Sequence, residues 1–354
     1  MYKLIVTVGP SSKSLKCLKN MSMAGADCFR INLSHSNHKS FLEYASLINA
    51  AGLSPSIDTQ GAQGRIIGVC KENNFSLGEQ VDILFSTSIN TSNRKNSKFI
   101  IINHIEILSQ LSVNDLLRVD FSGLTIRIKS IIGSSVTGII ETPGMCLVNR
   151  AFDIVDKTLN LSHLTGFDKE CIAKANLLGI NSLFHSFTSS SADIIYTRDL
   201  MPKGSTIIAK IENNNGLRNL KDIVRVSDGI LIDRGDLSRE ISISMVPLVV
   251  KRIISYCNQV DKPVYVATNV LDSMMKNSLP SRAEISDIYN LLESGVNALV
   301  LAAEVAIGDR PVNSCKVIRH MTDIVAKAQV DRSSFKVSRP NVSGDLPIEL
   351  KSWL

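Results

Sequence analysis

Two segments share one pattern: Ile207-Ile208-Ala209-Lys210-Ile211-Glu212-Asn213 and Gly229-Ile230-Leu231-Ile232-Asp233-Arg234-Gly235-Asp236 are apolar runs that end in charged residues. The apolar part of each segment predicts a buried parallel strand. Parallel α/β proteins place their binding and catalytic groups at the edge where such strands end. A lysine and two carboxylates at the ends of adjacent strands therefore indicate a divalent metal and an anionic substrate.

Similar apolar runs recur along the chain, and most are followed by a segment with helical spacing. Eight β/α units in 354 residues predict a TIM (β/α)8 barrel, an α/β fold. The predicted strands are Leu4–Val8, Cys28–Leu33, Ser54–Ile57, Ser182–Phe187, Thr206–Ile211, Gly229–Ile232, Pro263–Ala267 and Ala298–Ala302. The clearest predicted helices are Phe41–Ala51, Asp168–Leu178, Pro247–Val260, Arg282–Ser294 and Val312–Ala328.

A long segment, from about Gly61 to Leu161, separates the third and fourth predicted strands. It contains short alternating runs, such as Leu116–Asp120, Leu124–Ile128 and Val136–Glu141, which predict a small inserted all-β domain. An insertion at this point would lie over the catalytic face and could act as a lid. We expect a barrel at 1–61 and 158–330, an inserted lid domain at 62–157 and a polar tail at 331–354.

The composition excludes several classes of protein. Hydrophobic residues make up 44% and charged residues 20% of the chain, as in ordinary globular proteins. The net charge of +6 is spread out, so no basic stripe predicts nucleic-acid binding. No apolar run reaches membrane-spanning length and no signal peptide is evident. The seven cysteines form no C-x-x-C pair, which predicts reduced residues and a cytoplasmic protein.

Polar residues occur at the ends of most of the predicted barrel strands. Glu212 and Asp236 supply few ligands, which suits Mg²⁺ because this ion keeps waters and binds substrate oxygens. Lys210 would stabilise negative charge that develops in the transition state. Gly235 and Asp236 can open a helical turn whose amides hold a carboxylate or phosphate. A second set carries only oxygen ligands and one charge, which suits a monovalent cation: Asn32, Ser34, Asp58 and Thr59.

Over residues 6 to about 321 the chain resembles the pyruvate kinase family. Ile208–Asn213 matches the family motif I-A-K-I-E-N, and Arg234–Leu237 matches R-G-D-L. Five further segments resemble family motifs: Thr7–Ser12, Phe29–His35, Ile57–Gly61, Ala267–Met274 and Pro280–Glu284. The resemblance implies phosphoryl transfer between phosphoenolpyruvate and ADP, with pyruvate and ATP as the products.

The resemblance also implies roles for individual residues. Glu212 and Asp236 would bind Mg²⁺ or Mn²⁺, while Lys210 and Arg30 would neutralise the transferring phosphoryl group and the enolate. Thr268 and the amides of Gly235 and Asp236 would hold the substrate carboxylate, and Thr268 would lie near the carbon that gains a proton. The remaining implied assignments are Ser186 and Phe187 at the substrate, Asn32, Ser34, Asp58 and Thr59 at K⁺, and Asn32, His35 and Arg65 at the nucleotide.

Several positions depart from the family pattern. Gln60 replaces a lysine, and Gln63 occupies a position linked to K⁺ dependence, which is therefore undecided. In the lid, Ala151 replaces a nucleotide-facing lysine and Phe152 replaces a glycine. Asp233 replaces a small residue; it could attract a second cation, repel an anion or pair with Arg234. The family's C-terminal effector domain has no counterpart after residue 330, so we expect no effector regulation there, which leaves a barrel–barrel homodimer open.

Three functions are compatible with these features. The first is a short pyruvate kinase. The second is a related enzyme that applies the enolate and metal chemistry to another substrate or acceptor, as the changes at Gln60, Ala151 and Asp233 suggest. The third is a non-catalytic paralogue that binds a metabolite, which the intact Lys210 and Glu212 argue against. Two residues, Arg282 and Glu284, have the alternative role of capping the helix that follows them.

Overall fold

The structure, a computed structural model, describes residues 2–85, 98–119, 123–157 and 159–334, with side chains up to residue 328. In chain order the strands are β1 Lys3–Thr7, β2 Cys28–Asn32, β3 Pro55–Asp58, β4 Ile66–Val69, β5 Asn74–Phe75, β6 Gln80–Phe85, β7 Phe99–Ile102, β8 Leu116–Val119, β9 Leu124–Ile132, β10 Ser135–Thr142, β11 Gly144–Met145, β12 Phe152–Ile154, β13 Ser182–His185, β14 Thr206–Ile211, β15 Gly229–Asp233, β16 Val264–Ala267 and β17 Ala298–Leu301.

The α-helices are α1 Leu15–Met23, α2 His38–Ala50, α3 Gly166–Ala173, α4 Ser191–Leu200, α5 Asn214–Arg218, α6 Leu220–Val226, α7 Arg234–Glu240, α8 Val246–Gln259, α9 Arg282–Glu293, α10 Ala303–Ala306 and α11 Pro311–Ser334. Short 3₁₀ helices cover Leu33–His35, Ile105–Gln110, Ile243–Met245 and Asp272–Met275. Helix α11 extends into the segment predicted as a tail, and residues 335–354 lie outside the described part of the chain. Among the described helices, none is long and apolar enough to cross a membrane.

Eight parallel strands close into a barrel in the order β1-β17-β16-β15-β14-β13-β3-β2. These are the eight strands that the sequence predicts, so the predicted TIM barrel is confirmed. Adjacent strands are in regular register; Lys210 of β14, for example, pairs with Leu231 of β15. The barrel interior holds a small apolar cluster that includes Phe184, Ile208 and Val300. The larger core lies between the strands and the surrounding helices.

A separate sheet of seven strands lies between β3 and β13 in the chain, in the order β12-β8-β9-β10-β6-β7-β4. It is largely antiparallel and has its own apolar core, which includes Ile83, Ile126 and Phe152. The predicted all-β insertion is therefore present, and the three alternating runs correspond to β8, β9 and β10. Asp120, the last residue of the first run, lies outside the described residues.

Helix starts follow from short polar motifs. Thr165 and Asp168 form a capping box at α3, and Ser281 and Glu284 form one at α9. Each box satisfies backbone amides that have no partner within the helix. Glu284 also accepts from the amide and hydroxyl of Ser273, so its role in the structure is to cap α9 and to anchor the loop after β16.

The predicted fourth strand is too long at its end. It was expected to reach Phe187, but β13 ends at His185. Phe187 has φ +52°, a left-handed conformation that an extended strand cannot contain. The left-handed turn instead directs the amide of Phe187 toward Glu212 Oε2, 2.6 Å away. The chain therefore leaves the barrel wall just after His185, where the Phe187 amide binds a carboxylate at the polar end of the barrel.

Candidate active site

Lys210 lies at the centre of the polar end of the barrel and is buried. Its Nζ is 2.8 Å from Glu212 Oε1, 3.3 Å from Asp58 Oδ1 and 3.7 Å from Asp233 Oδ2. It also donates to Ser186 Oγ at 3.2 Å. Burial acts to lower the pKa of Lys210, but the three carboxylates, Asp58 foremost, raise it above the ordinary value. Lys210 is therefore a fixed positive charge at the mouth of the barrel.

A second buried cation, Arg30, lies beside Lys210. Arg30 Nη1 is 3.1 Å from Asp58 Oδ2, and its Nε and Nη2 donate to Thr7 Oγ1. Asp58 thus bridges Arg30 and Lys210 and holds the two cations in one place. Two positive charges aligned in this way can stabilise a phosphoryl group or an enolate.

The three carboxylates Glu212, Asp233 and Asp236 present ligand atoms that all lie within 4.8 Å of one another. Burial raises the pKa of Glu212, with Asp233 and Asp236 adding to the rise against the opposing effect of Lys210. Burial and Asp233 likewise raise the pKa of Asp236. A cation placed here would relieve this repulsion, so the residues present fit a divalent metal.

Thr268 follows β16 in a strained conformation. Thr268 has φ +72° and Asn269 has φ +55°, values that are rare for residues with a side chain. Arg234 holds this turn, because its guanidinium donates to the carbonyl of Thr268 at 2.8 and 3.2 Å and to that of Asn269 at 3.2 Å. Asp287 on α9 anchors Arg234 through a contact of 2.6 Å. The turn therefore presents the Thr268 hydroxyl to the cavity.

Asp233, the last residue of β15, does not pair with Arg234. Its Oδ1 accepts hydrogen bonds from the Thr268 hydroxyl and, at 3.3 Å, from the Gly235 amide. Burial acts to raise the pKa of Asp233, but Lys210 and the Thr268 hydroxyl lower it overall. Of the three alternatives raised by the sequence, pairing with Arg234 is wrong.

The four residues predicted at K⁺ line the same cavity, and the side chains of three of them, Asn32, Asp58 and Thr59, already have protein partners. Asn32 Oδ1 accepts from the Ser34 amide at 2.8 Å, and Thr59 Oγ1 accepts from the Ser186 amide at 2.9 Å. Asp58 contacts Arg30 and Lys210, as described above. Ser186 Oγ in turn donates to Asp58 Oδ1 at 3.2 Å.

The predicted nucleotide side is formed by His35 and Arg65. Burial lowers the pKa of His35, and the neighbouring Arg65 lowers it further. Burial also lowers the pKa of Arg65. Arg65 Nη1 donates to the carbonyl of Asn149, and its backbone forms a bridge with Ala151. The alanine that replaces the family's lysine therefore lies next to Arg65.

The two glutamines that depart from the family pattern have different surroundings. Gln60 Nε2 donates to the Leu33 carbonyl, and its Oε1 accepts from Thr165, so Gln60 joins two loops of the barrel. Gln63 Nε2 donates to Asp236 Oδ1 at 3.3 Å. Gln63 is thus in contact with a predicted metal ligand, whereas Gln60 has a structural role.

Every residue predicted for the site lines one cavity of about 250 Å³ at the polar end of the barrel. A larger cavity of about 550 Å³ opens between the barrel and the seven-stranded sheet of the insertion, which we call the lid sheet. It shares Phe187, Glu212 and Asp236 with the first cavity. The sequence patterns predict no supporting role for Arg234 or for Asp287. Arg234 stands beside a recognised motif, but no local signal joins it to Asp287 on a distant helix.

Comparisons with known proteins agree with this geometry. The family model described as pyruvate kinase, barrel domain, matches residues 1–315. A pyruvate kinase from Agrobacterium vitis is 31% identical over 351 residues, which cover 98% of this chain and 72% of the relative. Pyruvate kinase 2 from Saccharomyces cerevisiae is 29% identical, with 92% of this chain and 67% of the relative covered. A pyruvate kinase from Geobacillus stearothermophilus is also 29% identical, with 90% and 56% covered.

Proposed function

Because the chain belongs to the pyruvate kinase family, we propose that it transfers a phosphoryl group between phosphoenolpyruvate and ADP, giving pyruvate and ATP. The observation that carries the proposal is the position of Lys210 Nζ, 2.8 Å from Glu212 at the mouth of a closed barrel. This lysine, with Arg30 nearby, provides two buried cations where the reaction develops negative charge.

Glu212 and Asp236 would hold Mg²⁺ or Mn²⁺. Glu212 Oε1 is buried and makes no hydrogen bond apart from its ion pair with Lys210, so it is available as a ligand. When bound, the metal would supply positive charge that stabilises the phosphoryl group during its transfer. The protein orients Glu212 through the Phe187 amide, which donates to Oε2 at 2.6 Å.

Lys210 and Arg30 would bind the transferring phosphoryl group and the enolate oxygen. Their charge is held in place before the reaction, because Asp58 fixes both side chains. Such preorganised charge lowers the barrier without reorganisation during the reaction. Ser186, which accepts from Lys210, and Phe187 would line the substrate side of the cavity.

Thr268, Gly235 and Asp236 would bind the substrate carboxylate. The Thr268 hydroxyl would also lie near the carbon that is protonated when pyruvate forms. The hydrogen bonds from Arg234 to the Thr268 carbonyl would keep it there. Asn32, His35 and Arg65 would face ADP. Asn32, Ser34, Asp58 and Thr59 are the proposed ligands of K⁺, and a homodimer through the barrel stays a prediction.

A coupled assay for pyruvate tests the proposal. The purified protein is supplied with phosphoenolpyruvate, ADP and Mg²⁺ or Mn²⁺, with and without K⁺. We expect pyruvate and ATP in equal amounts, and a loss of both in Glu212→Gln. The matched control is Asp222→Asn, an exposed carboxylate on α6 whose only described ion pair is with Arg225. A metal-replete, folded protein that forms no ATP would overturn the proposal.

A further inference from the structure

Asp233 has contacts that its family position does not predict. Its carboxylate accepts from two donors, the Thr268 hydroxyl and the Gly235 amide. Both are among the three groups that the proposed function assigns to the substrate carboxylate, the third being the Asp236 amide. The Asp233 carboxylate and the substrate carboxylate would therefore compete for the same hydrogen-bond donors.

The Thr268 hydroxyl can donate only one hydrogen bond, so the two carboxylates compete for it. A Cβ atom built on Gly235 would lie 2.7 Å from Thr268 Cγ2 and 3.5 Å from Asp233 Oδ1. Thr268 cannot easily turn away to serve a second acceptor, because Arg234 fixes its strained backbone. Asp233 also adds a negative charge to a cavity that receives an anionic substrate, and its Oδ2 is 3.7 Å from Lys210.

We propose that Asp233 is a specificity-determining residue that occupies the subsite for the substrate carboxylate. The inference rests on the proposed function, because that function assigns the subsite. Phosphoenolpyruvate binds only when Asp233 gives up its contact with Thr268. The chain consequently discriminates against a carboxylate-bearing phosphoenol more strongly than an enzyme with a small residue at this position.

Two simpler roles for Asp233 explain less of the geometry. As a cap of the short helix α7, Asp233 would need only the Gly235 amide, yet it also engages the hydroxyl of Thr268, which follows a different strand. As a third metal ligand it would need only Oδ2, which lies close enough to Glu212 and Asp236 to share a cation with them; that role leaves the two hydrogen bonds to Oδ1 unexplained. Neither role predicts that a variant without the carboxylate binds phosphoenolpyruvate more tightly, whereas occupation of the subsite does.

The test is calorimetric titration of wild type, Asp233→Ala and Asp233→Asn with phosphoenolpyruvate and with inorganic phosphate, in the presence of Mg²⁺. We expect Asp233→Ala to bind phosphoenolpyruvate roughly tenfold to a hundredfold more tightly, since hydrogen bonds to a charged group are released for the ligand. Asp233→Asn keeps an acceptor oxygen without the charge, so its affinity for phosphoenolpyruvate should lie between those of wild type and Asp233→Ala. Phosphate affinity should change by a smaller factor, because phosphate does not need the carboxylate subsite.

Asp222→Ala is the control, because it removes the same side chain from an exposed position. Unchanged or weaker binding of phosphoenolpyruvate by folded Asp233→Ala overturns the inference. Weaker binding of Mn²⁺ alone by that variant also overturns it, in favour of a metal ligand. Tighter phosphoenolpyruvate binding without ATP formation in any variant supports the inference and refutes the proposed function. ATP formation with equal affinity in wild type and Asp233→Ala refutes only the inference.

Discussion

The charge on Lys210 depends on its neighbours more than on its own chemistry. An isolated lysine at this depth would lose its proton, because burial penalises the charged form. Asp58, Glu212 and Asp233 reverse that effect and raise its pKa. The same carboxylates would repel one another if Lys210 were absent. Under the proposed function, this one side chain therefore has both a catalytic and a structural role.

Replacing Lys210 with methionine separates these two roles. We expect kcat to fall by roughly 10²–10³, the usual cost of removing one preorganised charge or donor from an active site. Stability should fall by about 3–5 kcal/mol, because buried carboxylates lose their counter-ion. Lys203→Met is the exposed control. Steady-state kinetics and urea unfolding measure both effects, and an unchanged kcat in a folded variant would contradict the assignment.

Under the proposed function, Arg234 would act on the reaction through Thr268, so its substitution should affect substrate binding. A lysine at position 234 cannot reach the carbonyls of Thr268 and Asn269 together. We expect Arg234→Lys to raise the KM for phosphoenolpyruvate about tenfold, as charge-assisted hydrogen bonds are lost. Arg225→Lys on α6 is the control, since its pair with Asp222 is exposed. Equal KM values in the two variants would rule out a positioning role for Arg234.

The sequence predicted which residues share the cavity because strand order and strand ends follow from local patterns. The β14 and β15 motifs place Lys210, Glu212 and Asp236 on one edge without any knowledge of distant contacts. The orientation of Asp233 could not be predicted in this way. It depends on the strained turn at Thr268, which is held by Arg234 and by Asp287 on a helix far along the chain.

The lid sheet is a separate element with its own core, and Phe152 on β12 is part of that core. The ring packs so closely on Gly64 that a Cβ atom there would lie 2.7 Å from it. Phe152 also donates its amide to the Gly64 carbonyl at 2.9 Å. The phenylalanine that replaces a glycine of the family thus fills space where the chain enters and leaves the lid.

Removing the Phe152 ring should destabilise the lid. We expect Phe152→Ala to lower the free energy of unfolding of the lid by about 3–5 kcal/mol, the usual cost of truncating a buried aromatic side chain. Amide protection measured by hydrogen exchange should fall in β8 and β12, while β14 and β15 keep theirs. Ile132→Ala is the control, because Ile132 on β9 is 75% exposed. Equal loss of protection in both sheets would indicate that they unfold together.

The strands were easier to predict than their ends. All eight barrel strands were found because parallel strands are continuous apolar runs. The end of β13 was misplaced because Phe187 is as apolar as the strand residues before it, and the period of a strand does not report a left-handed φ. The domain boundaries at 61/62 and 157/158 stay a prediction for the same reason.

The wall of the barrel contains several buried ionisable groups. One of them, His185, should make the stability of the whole molecule depend on pH. His185 is fully buried at the end of β13, with its Nδ1 2.9 Å from Thr188 Oγ1. Burial lowers the pKa of His185 to about 4, and the neighbouring His163 contributes to the shift. The folded chain therefore holds this ring neutral where an unfolded histidine, with a pKa of about 6.5, would be protonated.

The sign of the effect follows from where the proton binds. Above pH 6.5 the ring is neutral in both states, so His185 adds no pH dependence. As the pH decreases from about 6.5 to 4, the unfolded chain gains a proton that the folded chain does not. The free energy of unfolding therefore decreases as the pH is lowered. We expect wild type to lose about 2 kcal/mol more than His185→Asn between pH 7 and pH 5, measured by urea unfolding. His38→Asn, at an exposed position, should follow wild type; a parallel fall in His185→Asn would show that other groups cause the loss.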